Sequence, residues 1–109
     1  MHALPLLRTS AADLNQRQYD ALARYHFNIR NGHGFTADNE GMDLSSEDEA
    51  RRHAITGARS LLSAEVLEGT LDLNGQIEVT DDHQASVMTV HFVEVVDVQG
   101  IERLALGDR

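Results

Sequence analysis

The chain has 109 residues, which suits one hydrophobic core and is too short for two. It contains no cysteine, so disulfides and thiolate metal sites are excluded. Eighteen acidic residues stand against nine basic ones, all nine arginine, for a formal charge of -9. That balance argues against a nucleic-acid partner, because such affinity rests on Lys and Arg displacing the counterions of the phosphate backbone; here the arginines are scattered and only Arg51 and Arg52 are adjacent.

Residues 1 to 24 read as an N-terminal extension with some helical character. Ser10 is a candidate N-cap with Asp13 three positions on, and Leu14, Ala21 and Leu22 share one face. The apolar run Ala3 to Leu7 holds Pro5 and is cut by Arg8, too short for a secretory signal. No stretch approaches the roughly 18 apolar residues of a membrane span. The expectation is a soluble, cytoplasmic protein with no membrane association.

The first predicted strand starts at Tyr25. Tyr25, Phe27 and Ile29 alternate with His26, Asn28 and Arg30, the period of two that separates a buried from a solvated face. Asn31-Gly32 and Gly34 predict a hairpin turn, after which the chain returns through Phe35 toward "EGMDL".

A helix is predicted to begin at Ser46, with Glu49 completing a capping box and Glu47, Asp48 and Glu49 favoured by the helix dipole. At about 100° per residue, Ala50, Ala54, Gly57, Ala58, Leu61 and Ala64 fall on one side, flanked by Ile55 and Leu62. Gly69 suits the position after the C-cap, so the helix should end between residues 64 and 68. Two further strands follow. "QIEVT" buries Ile77 and Val79, and "VMTVHF" buries Met88, Val90 and Phe92, with Asp81 to Gln84 as the turn.

The order hairpin, helix, hairpin reads as α+β: an antiparallel sheet of about four strands (β-β-α-β-β) with one amphipathic helix on one face. The domain is placed at residues 25 to 98 and a tail at 99 to 109. Phe27, Leu61 and Phe92 are expected to meet between sheet and helix.

The strand "YHFNIRNG", the turn "DNEGMDL", the helix "EDEARRHAITGARSLLSAEV", the run "LDLNGQIEVTD" and the closing "VMTVHF" together resemble a family of small proteobacterial proteins catalogued as a domain of unknown function. The resemblance covers about Tyr25 to Val96 and implies a compact domain with no established activity. More distantly, the passage from strands through an acidic, Gly-containing turn into a helix at Glu49-Ala50 is similar to the antitoxins of Hic-type toxin and antitoxin pairs.

Sites for chemistry are sparse. His26, His33, His53, His83 and His91 show no HExxH motif and no regular ligand spacing, although His26 and His91 would be neighbours if their strands paired. Asp38, Glu40 and Asp43 could hold a hard cation, but Asp38 and Glu40 beside Gly41 read better as a turn in which Asp38 bonds its own backbone. No nucleophile elbow and no phosphate-binding glycine loop is present. The expectation is a protein that is not an enzyme, with no cofactor, no metal ligand and no catalytic residue.

One helix leaves the other face of the sheet polar, with His26, Asn28, Arg30, Glu78, Thr80, Thr89 and His91 on it and no aromatic residue. His26, Asn28, Arg30, Thr89 and His91, together with Val95 and Val98 of the apolar run that outlasts the last strand, form the candidate interaction surface. The expected partner is another protein or a second copy, reached by strand addition at the first strand or along Val93 to Val98. The rival readings are an antitoxin-like inhibitor of a basic partner and a metal-binding protein or metal-dependent enzyme.

Overall fold

A computed structural model describes residues 22 to 102. The residues of the N-terminal stripe before Leu22, and Leu104 and Leu106 of the tail, lie outside that range. The sheet strands are β1 (Ala23–Asn31), β2 (Gly34–Thr36), β3 (Met42–Leu44), β4 (Gln76–Thr80) and β5 (Ser86–His91), with helix α1 (Glu47–Leu67) between β3 and β4 and a 3-10 turn (Phe92–Glu94) after β5. The fold is α+β: an antiparallel five-stranded sheet in the order β2-β1-β4-β5, with β3 also paired to β1. The predicted second strand is in fact two three-residue pieces, because residues 37 to 41 leave the ladder between them.

Register carries the alternation of β1 across the sheet. Phe27 lies opposite Val79 and Val79 opposite Met88, while Ile29, Ile77 and Val90 form the next row. These rows face α1. Its buried stripe is Ala50, Ala54, Ala58 and Leu62, a strict i, i+4 series that lets the helix lie close to the sheet. Leu62 therefore closes the stripe where Leu61 is predicted; Leu61 packs at its margin and Ala64 is exposed. Phe92, Val79 and Val90 are the largest fully buried side chains, and Phe27 is half-buried, its ring 4.5 Å from the imidazole of His53 on α1.

The ends of α1 follow the sequence closely. Ser46 accepts the Glu49 N–H at 3.1 Å, and the helix stops at Leu67 with Gly69 at φ +89. The reciprocal half of the box is displaced by one residue, since Glu49 accepts from the N–H and hydroxyl of Ser45. The first hairpin also differs in detail. Asn31 pairs with Gly34 across the loop Gly32-His33, and positive φ falls on Gly34, after the turn. The Asn31 side chain braces the loop by accepting the His33 N–H at 2.9 Å.

Two expectations about edges are corrected. β1 is paired on both sides and offers no free edge, because the short β2 and β3 flank it opposite β4. The run Val93 to Val98 does not extend β5. The 3-10 turn redirects it so that Val95 is 4% exposed in the core, held by Arg59 of α1, whose Nε donates to the Val95 carbonyl at 2.8 Å. Among the described residues no helix is long and apolar enough to cross a membrane.

Candidate functional site

The face of the sheet away from α1 carries the side chains that alternate with the core rows. Arg30, Gln76 and His91 form one cross-strand row, Asn28, Glu78 and Thr89 the next, and His26 stands opposite Thr80. His26 and His91 are thus at opposite ends of the face with β4 between their strands, not neighbours. Two loops rise around the His26 end. One is the segment 37 to 41 between β2 and β3, and the other is the β4–β5 turn. Between them lies a groove of about 460 Å³ whose lining includes His26, Phe35, Asp38, Glu78, Asp82 and Gln84.

Asp38 builds the first wall. Its carboxylate accepts the β1 N–H of Phe27 at 3.0 Å and the N–H of Gly41 at 3.1 Å, so one side chain satisfies a strand donor left without a ladder partner and closes its own turn. Burial pushes the Asp38 carboxyl up, but the N–H groups of Phe27, Gly41 and Glu40 and the nearby His26 outweigh it and hold the group below its ordinary value. Gly41 sits at φ +72, where a Cβ would meet the Tyr25 carbonyl at 2.8 Å. Arg24 donates to the backbone carbonyl of Glu40 at 2.6 Å and to the Asp43 carboxylate at 3.2 Å. Among the described residues no group of three or more His, Asp or Glu, Asp38, Glu40 and Asp43 included, is placed to hold a metal ion.

Asp81 builds the second wall, its carboxylate accepting the N–H groups of His83 at 2.8 Å and Ala85 at 2.9 Å. These bonds hold the turn tightly enough to keep Gln84 at φ 66, an unusual conformation for a residue with a side chain.

His26 joins the walls. One ring nitrogen lies 2.8 Å from the Asp38 carbonyl and the other 3.1 Å from the Asp82 carboxylate. Both neighbours are acceptors, so both contacts are satisfied only by the doubly protonated ring. The bond to Asp82, then that to Asp38, raises the His26 pKa above its ordinary 6.5.

Asn28 was expected on the surface and is buried, at 8% exposure. Its amide donates to the Glu78 carbonyl and the Thr80 hydroxyl, and its oxygen accepts the Asp38 N–H at 2.9 Å. The loop that Asn28 anchors also covers it, so its role is architectural. Arg30 is exposed, pairing with Glu78 at 2.8 Å, while Gln76 donates to the same carboxylate. His91 and Val98 are exposed and Thr89 half-buried, whereas Val95 belongs to the core and is unavailable.

Contrary to the expectation of no aromatic residue there, the open face holds Phe35. Phe35 is 50% exposed, and the Arg30 guanidinium lies 4.7 Å above its ring. Counting outward from the Gly32-His33 loop would have found it, since Arg30 and Phe35 pair across the hairpin and so share a face. Asp81, Asp82 and Gln84 carry only turn signals in the sequence, because nothing local shows that their loop stands beside β1.

No curated protein and no solved structure shows a significant match to this chain. A family profile matches residues 24–94, which takes in the helix, both walls of the groove and the described strands except Ala23 at the start of β1. The chain belongs to the family described as a domain of unknown function, DUF6894.

Proposed function

We propose that this domain is a soluble, cytoplasmic, non-catalytic module that binds another protein on the open face of its sheet, with the groove at the His26 end as the centre of contact. The observation that carries the reading is the asymmetry of the sheet. α1 covers one face, while the other holds a groove whose walls are braced by Asn28, Asp38 and Asp81 and whose rim exposes Asp82. Bracing of this kind presents a fixed shape, which lowers the ordering cost of binding. The carboxylates at the groove and the net charge of -9 favour a basic segment as the ligand. An antitoxin-like inhibitor that neutralises a basic partner is a special case of this reading, supported by the same charge.

Asn39→Lys combined with Gln84→Lys tests it, because the pair places two cations on the rim and neither side chain takes part in the groove's hydrogen bonds. The double variant should keep the thermal transition of the unaltered protein and lose the partners that protein retains from a native lysate at low salt. Capture of the same partners by both proteins would show that the open face is not the working surface.

A further inference from the structure

The two edges of the sheet are unlike. One consists of the three-residue strands β2 and β3, interrupted by the Asp38 loop and marked by the Arg24–Asp43 ion pair. Short, broken and charged edges resist pairing with another chain. The other edge is β5, six residues long, with one register shift against β4 at Val79/Thr80, and among the described residues it pairs only with β4. Among the described residues no backbone hydrogen bond reaches its outer side. Its composition is just as distinct, since residues 83 to 93 contain no Asp, Glu or Arg, the longest such run in the chain.

We propose that β5 pairs antiparallel with β5 of a second copy about a two-fold axis at Thr89. This surface is separate from the groove and does not depend on its function. The strand is its own complement in that register. Thr89 faces itself on the open side, and Met88 faces Val90 twice on the helix side, continuing the apolar rows Phe27-Val79-Met88 and Ile29-Ile77-Val90 into the second sheet. No like-charged carboxylate pair arises. The free N–H and C=O groups of the edge find partners, and the two sheets become one.

The test is sedimentation of the full chain over a dilution series, combined with amide hydrogen exchange. The expected mass is about twice 12.1 kDa at high concentration, falling to that of a single chain on dilution, with β5 amides exchanging more slowly in the associated state. Thr89→Lys sets two ammonium groups opposite each other at the axis and should leave a single chain whose thermal transition matches that of the unaltered protein at dilutions where it is a single chain. A single-chain mass at every concentration would overturn the proposal. So would association that leaves β5 exchange unaltered, which would assign the contact to another surface. Should the variant fail to fold, the exchange measurement on the unaltered protein decides alone.

Discussion

The N–H of Phe27 donates to the carboxylate of Asp38 at 3.0 Å, so a side chain from the loop takes the place that a neighbouring strand would fill. The Phe27 donor is thereby satisfied although the partner's backbone leaves the ladder between Thr36 and Met42. This single contact lets the chain raise a wall above the open face without orphaning a donor of the central strand.

Asp38→Ala should accordingly destabilise the domain by about 2 kcal/mol, within the range for leaving a partly buried donor unsatisfied. Chemical denaturation checks this, and the loss should come with faster exchange of the Phe27 and Gly41 amides. A change below about 0.5 kcal/mol would mean that solvent replaces the carboxylate at no cost.

The His26 clasp predicts a pH dependence of known sign. Its folded pKa is raised above 6.5, so its contribution to stability is fully present below that value and is lost as pH rises through the folded pKa. Asp38 acts in the opposite sense, since its folded pKa lies below 3.8 and its contribution is lost as pH falls through that lowered value. Thermal stability should therefore decline on the alkaline side of pH 6.5, and His26→Gln should flatten that decline while leaving the acid limb in place. Identical profiles for the two proteins between about pH 6 and 8 would show that the clasp carries no linkage.

Two glycines should respond to alanine in opposite directions. At Gly75 a Cβ would collide with the ring of the fully buried Phe92, and the Gly75 carbonyl also accepts the Phe92 N–H. Gly75→Ala should cost about 2 kcal/mol, in the range for overpacking a core. At Gly57 a Cβ would lie 3.6 Å from Ile77 Cδ1, an ordinary contact, within a regular helix. Gly57→Ala should stabilise by up to about 1 kcal/mol through helix propensity. Thermal melts of the two variants moving in the same direction would contradict this assignment.

The sequence by itself determined the elements that local physics specifies. The alternation of Tyr25, Phe27 and Ile29 chose the face of β1, the pattern of Ile77 and Val79 chose that of β4, and Ser46 and Gly69 bracketed the helix. Each of these signals lies within one element, where side-chain period or a cap has only one geometry that satisfies it. The tertiary structure decided everything that depends on a neighbour distant in sequence. Asn28 and Arg30 are equivalent by periodicity, yet one is buried and one exposed, because the Asp38 loop folds over the first and stops short of the second. Val95 and Val98 are equivalent by composition, yet the 3-10 turn drives one into the core. His26 became a clasp only because pairing of β1 with β4 brings Asp82, 56 residues away, within 3.1 Å of its ring. Strand order and loop placement are settled by the summed burial of the whole core, and no short stretch of sequence contains that sum.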